Sequence, residues 1–422
     1  MVFALCPLVA QNELSLSEAI QMGLENNYDL TITANQQKIA QINNTWANTS
    51  FMPTLTMNLG LQEDKNYNKV EDNRSLQFTP QINLDWVLFD GFGAQISKKR
   101  YEELESESDN NTELLVENTI QDIILAYNSV LLQQEMANQY KVMSDLSKDR
   151  MEREEESKKI GVSTTYNYLQ YKTSYLKDYS NYLKKKVDYE NAMRSLNYVL
   201  AIKENKMWNL ITPLVADTHE FLLDELTQDM QVNNHTLKNQ YIQQRILALN
   251  TRSAHSAYYP MLKMNGGVRY NSMRKDFSES SPTLNTHSTD LYAGLTLSWS
   301  IFSGGSRQRA VAIAKINEVT AEVAVDQMTH ALNNQLLKYL STYNVNREVY
   351  KLTQEQRETA KLNLELSKQK YESGAINSFN FRDVQVSYLD AVTSNLQAIY
   401  SLIESHTDLL QLTGNMISYE TK

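Results

Sequence analysis

The stretch "WVLFDGFG", Trp86–Gly93, returns as "WSIFSGGS" at Trp299–Ser306, with tryptophan, phenylalanine and glycine in the same places. Trp86 and Trp299, Phe89 and Phe302, and Gly91 and Gly304 all stand 213 residues apart. Gly161 and Gly374 keep the same interval, as do "LNYVLA" (196–201) and "LLQLTG" (409–414). Nearer the start of each copy the interval is 207, from Asn26-Asn27 to Asn233-Asn234 and from Pro53 to Pro260. Self-similarity at a fixed offset is the mark of a tandem duplication. The predicted organisation is a first repeat over 13–212 and a second over 220–422. The second carries six additional residues between Pro260 and Trp299.

Each copy reads in the same order. A helical segment (about 29–51; 236–259) ends at Phe51-Met52-Pro53 or Tyr259-Pro260, because proline lacks a backbone donor and forces its predecessor out of the α region. Two stretches with period-two alternation follow, the pattern of strands with unlike faces. They are expected at about 54–62 and 76–88 in the first copy, and at about 261–271 and 291–301 in the second. Leu55, Met57, Leu59 and Leu61 fall on one face of the first strand; Leu291, Ala293, Leu295, Leu297, Trp299 and Ile301 do so on the fourth. After each glycine pair the pattern turns helical and stays so as far as Gly161 or Gly374. At 1.5 Å per residue such a helix spans about 100 Å. The return segments carry Tyr168, Tyr175, Tyr182, Tyr189 and Leu196, one every seven residues, with Phe381, Tyr388, Leu402 and Leu409 on the matching register. Sustained heptads predict long helices packed at coiled-coil angles, with the tyrosines serving as packing.

Composition narrows the classes. The chain has 422 residues and a net charge of −10, which argues against a nucleic-acid partner. It has one cysteine, Cys6, so neither an internal disulfide nor a thiolate metal cluster can form. The six histidines are scattered without metal-ligand spacing, and Gly304-Gly305 lacks the Gly-Lys-Ser/Thr of a phosphate loop. No metal or cofactor is expected, and no enzyme. No run reaches the 18 or so apolar residues of a membrane helix. The first eleven residues, "MVFALCPLVAQ", read as a partial signal peptide. Leu5 before Cys6 is bulkier than the residue that usually precedes a lipidated cysteine.

The strands admit two readings. A soluble sheet would pack against helices, yet the helices are too long to be core-covering and few other apolar segments remain. A membrane barrel instead places one face in hydrocarbon and the polar face on a lumen. Trp86, Phe89, Trp299 and Phe302 then form an interfacial belt where strand meets helix. Gly91, Gly304 and Gly305 allow the backbone to turn there. Four strands cannot close a barrel, and open edges are not tolerated in lipid, so several chains must share one. A structural coiled-coil scaffold of the envelope, without transport, explains the heptads but not the strands.

The duplication, the paired strands, "LDWVLFDGFG", "LSWSIFSGGS", the glycine turns and "LLQLTG" resemble the TolC family of outer-membrane efflux and secretion ducts over about 14–415. The resemblance implies a mainly α chain with a membrane β-barrel part. Three chains would form a homotrimer with a long coiled-coil α-helical barrel joined to a shared 12-stranded β-barrel, four strands from each. It implies the outer membrane of a Gram-negative bacterium, contact with outer-membrane lipid, and a helical tunnel in the periplasm. Its implied partners are a periplasmic adaptor (membrane fusion) protein and an inner-membrane transporter of RND or ABC type. Its implied function is the exit duct of a tripartite efflux pump or a type I secretion system; the substrate is not implied. By the same resemblance the turns at Gly161, Val162 and Ser163 and at Gly374, Ala375 and Ile376 dock the adaptor. The periplasmic gate is expected at Tyr371, Asn380, Asp383 and Asn167. Only Tyr371 and Asp383 keep the residue type that the family carries, since Asn380 and Asn167 replace acids and Ile376 replaces an arginine.

Overall fold

The computed structural model describes residues 13–67, 73–277 and 282–417. The stretch read as a signal peptide lies outside them, Cys6 included. In chain order the first half holds β1 (Glu13–Leu14), α1 (Leu16–Asn26), α2 (Tyr28–Asn43), β2 (Thr54–Asn66), β3 (Asn73–Phe89), α3 (Gly93–Lys159) and α4 (Thr165–Val199). After β4 (Asn209–Leu210) come α5 (Leu223–Asn233), α6 (His235–Ser256), β5 (Met261–Asp276), β6 (Leu284–Ser298), α7 (Ser306–Glu372) and α8 (Ser378–Thr413). The order helix, helix, strand, strand, long helix, return helix thus occurs twice. The chain forms two compact units. One is helical and takes residues up to Ala34, Asn110–Lys238 and those from Gln327 onward. The other holds the sheet, in Asn35–Asp109 and Asn239–Asp326.

The repeated motifs have local causes. Asn27 and Asn234 break each leading helix and cap the next one. The Asn27 side chain accepts from the N–H groups of Asp29 and Leu30, and Asn234 accepts from Leu237 N–H at 2.8 Å. "LLQLTG" ends in a left-handed cap at Gly414 (φ 68°), whose neighbour Asn415 donates its N–H to Leu410 O at 2.9 Å. "LNYVLA" does the same with Ala201 at φ 54°, and Ile202 donates to Asn197 O at 2.9 Å. A β-carbon in that conformation costs roughly 1 kcal/mol, which glycine avoids.

In the helical unit the core gathers around two tyrosines on the long helices. Tyr127 and Tyr343 are fully buried. The Tyr127 hydroxyl donates to Leu14 O at 2.9 Å and accepts from Thr212 N–H at 3.0 Å; that of Tyr343 donates to His219 O at 2.6 Å. These bonds fasten the segments that lead into α1 and α5, the first of which also pairs β1 with β4 in parallel. Ile120, Ile123, Leu196 and Leu200 pack around Tyr127, and Leu336, Leu402 and Leu409 around Tyr343.

The sheet has strand order β2-β3-β5-β6, antiparallel throughout. The register sorts its faces. Leu55, Met57, Leu59 and Leu61 stand across from Leu84, Ile82, Pro80 and Phe78 on one face, which β6 continues with Leu291, Ala293, Leu295 and Leu297. The other face presents Thr56, Asn58, Gln62, Gln77, Gln81, Asn83, Asp85, Arg269 and Asp290. The apolar face is uncovered in the single chain: the four residues of β2 are 65–72% exposed and Leu291 is 82% exposed. Each forfeits roughly 2 kcal/mol if left in water.

Three expectations from periodicity are corrected. The fourth strand spans Leu284–Ser298 rather than 291–301. Its partner β5 begins at Met261, directly after Pro260, so Ser298 pairs with Met261 and Trp299–Ile301 have no strand beside them. The first leading helix ends at Asn43 rather than 51, and a 3-10 turn (Trp46–Thr49) and a left-handed Ser50 (φ 63°) follow. The Asn48 side chain donates to the freed Asn43 carbonyl at 3.0 Å, and Lys98 donates to the Asn44 side chain at 2.6 Å. The corresponding helix of the second copy, α6, likewise stops at Ser256 instead of 259.

Where α3 meets the start of α6, Glu117 is buried (1% exposed) beside buried His235. Glu117 Oε2 lies 3.6 Å from His235 Nε2, and His235 Nδ1–H donates to Asn110 Oδ1 at 2.6 Å. Burial pushes the Glu117 carboxyl up to about 7, opposed by the Met416 N–H and by Lys238, with Glu113 adding to the rise. A carboxyl raised in the fold contributes fully below its unfolded value and loses that contribution as pH climbs to the folded one. Burial lowers the pKa of His235, which acts in the opposite direction over part of this range. The comparison with Glu117→Gln isolates the carboxyl. The stability of Glu117→Gln relative to the parent is expected to grow by roughly 2–3 kcal/mol between pH 4.5 and 7. Unfolding midpoints in detergent across that range check this, and a constant difference refutes it.

Candidate functional site

The two copies of the opening motif build matching joints between strand and helix. The Trp86 indole N–H donates to Phe51 O at 2.9 Å, and the Trp299 indole N–H donates to Tyr258 O at 3.1 Å. Each tryptophan thereby ties the end of its hairpin to the segment leading into the first strand. Gly91 (φ +70°) is required where it stands, since a β-carbon there would lie 2.5 Å from Ser256 O and 2.8 Å from Tyr259 Cβ. Phe89, Phe92 and Tyr259 form an edge-to-face chain at 5.3 and 5.7 Å. In the second joint Arg307 takes over. Its guanidinium donates to Ile301 O at 3.0 Å and Ala257 O at 3.2 Å, and lies 5.3 Å from the centre of the Tyr258 ring. Trp299 and Phe302 stay 61% and 86% exposed.

At the turns, Gly161 (φ +78°) and Gly374 (φ +76°) close the two long helices. Val162 N–H bonds Ser157 O at 2.9 Å, and Ala375 N–H bonds Lys370 O at 2.8 Å. The return helices start on side-chain caps. Thr164 accepts from Asn167 N–H at 3.2 Å, and Asn377 accepts from Asn380 N–H at 2.9 Å. Asn167 and Asn380 thus occupy equivalent third helical positions. Ser163 bonds the Glu154 carboxylate. Ile160 and Val162 are 76% and 77% exposed. Tyr371 stacks on Phe381 with ring centres 4.9 Å apart, nearly parallel. Asp383 is exposed and makes no ion pair among the described residues.

The structure also brings together a group that periodicity did not single out. Arg382, next to Asp383 on α8, reaches α4 and α3 at once. It donates to Asp178 Oδ1 at 2.6 Å and to Ser147 Oγ at 3.0 Å, and lies 2.9 Å from Met143 Sδ. Ser147 is also bonded to Asp178. Arg150 adjoins the pair; burial and then the Arg382 charge lower its pKa, and Asp178 opposes them. Arg150, Gln170 and Ser378 line a neighbouring cavity of about 30 Å³. Asp178 could have been noticed, since it stands three residues after Tyr175 and so puts a charge where a heptad wants an apolar side chain. The contacts of Arg382, whose partners lie 204 and 235 residues away, leave no such trace.

The fold has counterparts among solved structures. The chain is similar to a membrane protein from Pseudomonas aeruginosa, with a TM-score of 0.78 at 15% identity over 94% of this chain and 93% of that one. It is similar to the CmeC outer membrane channel of Campylobacter jejuni, with a TM-score of 0.77 at 16% identity over 96% and 89%. The open state of the MtrE outer membrane channel of Neisseria gonorrhoeae gives 0.75 at 16% identity over 95% and 89%. No curated protein matches the sequence. The class is the outer-membrane channel fold. Residues 226–415 match the family model described as outer membrane efflux protein, so the second copy carries that family and the TolC-type resemblance holds. The solved channels share this fold, and the family match lies within the second repeat.

Asp178 is 5% exposed, and Arg382 is its cationic partner. Removing one member of a buried pair leaves an uncompensated charge, at a cost of about 3 kcal/mol. Arg382→Met is therefore expected to lower the unfolding midpoint sharply. The double change Arg382→Met with Asp178→Leu is expected to recover most of it. Additive losses in that cycle, followed by thermal unfolding in detergent, would show the pair to be uncoupled.

Proposed function

We propose that three copies of this chain close a twelve-stranded barrel and form the exit duct of a tripartite efflux pump or type I secretion system. The observation that carries this reading is the sheet. It has one uncovered apolar face, one polar face, and unpaired edges at β2 and β6 among the described residues. An open edge is intolerable in lipid, and joining β6 of one copy to β2 of the next removes every edge. Heptad-spaced apolar residues left exposed on α2 (Tyr28, Ile32, Ile39, Ile42) and α7 (Ile313, Ile316, Val323) supply helical surface for the same contacts. Trp86, Phe89, Trp299 and Phe302 then form the belt at the membrane surface, and small molecules and proteins are candidate cargo.

In this reading a periplasmic adaptor meets the turns at Gly161, Val162, Ser163, Gly374, Ala375 and Ile376, where exposed Val162 offers an apolar foothold. An inner-membrane transporter delivers the cargo. The first repeat (13–212) and the second (220–422) contribute equivalent halves of each protomer. A scaffold without transport leaves the two-faced sheet unexplained. Mass measurement in detergent is expected to give three chains per particle, and planar bilayers are expected to show discrete pores. A stable monomer that conducts nothing overturns the proposal.

Tyr371, Asn167, Asn380 and Asp383 line the periplasmic entrance in this proposal. Threefold symmetry sets three Asp383 carboxylates around one opening, where low-dielectric walls focus their field. Asp383→Asn is expected to abolish cation preference and block by multivalent cations in planar bilayers. Unchanged selectivity would place Asp383 outside the conduction path.

A further inference from the structure

On the polar face of the sheet, the two bulkiest side chains of one patch are folded flat against the wall. Tyr292 on β6 stands in register with Gly267 on β5 and Asn83 on β3. Its side chain runs across Gly267, and its hydroxyl donates to Asn83 Oδ1 at 2.7 Å, two strands away. Only glycine permits this. A β-carbon at position 267 would stand 2.9 Å from the Tyr292 hydroxyl and 3.1 Å from its ring, and would also collide with the Ile82 carbonyl. One row toward the hairpin ends, Arg269 leans the same way. Its Nε donates to Gln81 Oε1 at 3.2 Å, and its guanidinium lies 5.9 Å from the Tyr292 ring centre. Arg269 stands in register with Asp290 but forms no ion pair with it among the described residues.

A tyrosine on a sheet ordinarily stands off perpendicular to it. Here the hydroxyl is spent on β3, two strands away, and the ring lies over a missing side chain. We infer that Gly267, Tyr292 and Asn83 set the bore of the duct at this level: the glycine opens a slot, and the asparagine holds the aromatic ring in it and out of the lumen. The inference rests on the reading of the polar face as the wall of a lumen. With three chains, three rings lie against that wall, and their release would crowd a single cross-section. The patch therefore selects cargo by size.

The test uses a reporter deeper in the barrel than the patch. Lys263 is exposed on the polar face, four residues nearer the helices than Gly267. Lys263→Cys in a Cys6→Ser background is labelled from the hairpin side with maleimides of graded size. The full-length protein is held in phosphatidylethanolamine/phosphatidylglycerol vesicles. Asn83→Ala, which keeps Gly267 intact, is expected to slow the large reagents relative to the smallest one. Adding Tyr292→Ala to Asn83→Ala is expected to restore the parent ratio, because the ring that obstructs is gone. A ratio unmoved by Asn83→Ala, or a loss that persists without Tyr292, overturns the inference. If even the smallest maleimide fails to reach position 263 in the parent protein, it is the duct reading that falls.

Discussion

Leu55, Met57, Leu59 and Leu61 on one edge of the sheet, and Leu291, Leu295 and Leu297 on the other, stand on a face to which no helix among the described residues makes extensive contact. An apolar face of this size cannot rest in water, and strand edges cannot rest in lipid with their N–H and C=O groups unpaired. The remainder of the molecule answers to these two demands. The duplication supplies two hairpins that pair through β3 and β5. The remaining edges, β2 and β6, are free to meet another chain.

The joints between strand and helix follow from the same demands. A strand emerging from such a sheet must change direction over a few residues while its neighbours stay in register. In both copies a tryptophan donates to the backbone that precedes the first strand, and glycine takes the left-handed conformation just beyond. The copies then diverge. The first joint fills its corner with Phe89, Phe92 and Tyr259; the second uses Arg307 and leaves Trp299 and Phe302 open. Two equal motifs therefore need not have equal surroundings.

In the helical unit, polar contacts do work that heptads alone would leave undone. Tyr127 and Tyr343 spend their hydroxyls on segments outside the helices, and Arg382 draws α3 and α4 toward α8 through Asp178 and Ser147. These buried groups specify one register among the several that repeating apolar side chains would accept. Glu117 beside His235 carries a cost, since the fold holds a carboxyl where its ionised form is disfavoured.

The sequence by itself determined the duplication, the two-faced strands, the long helices and the turns at Gly161 and Gly374. Each depends on residues within a few positions of one another, or on a period that a single chain displays. Only the tertiary structure decided where the fourth strand stops, because Ser298 pairs with the first residue of β5, directly after Pro260. It alone brought Arg382 to Asp178 and laid Tyr292 across Gly267 to Asn83. Those contacts join residues far apart in the chain, through side-chain directions that neither composition nor periodicity encodes.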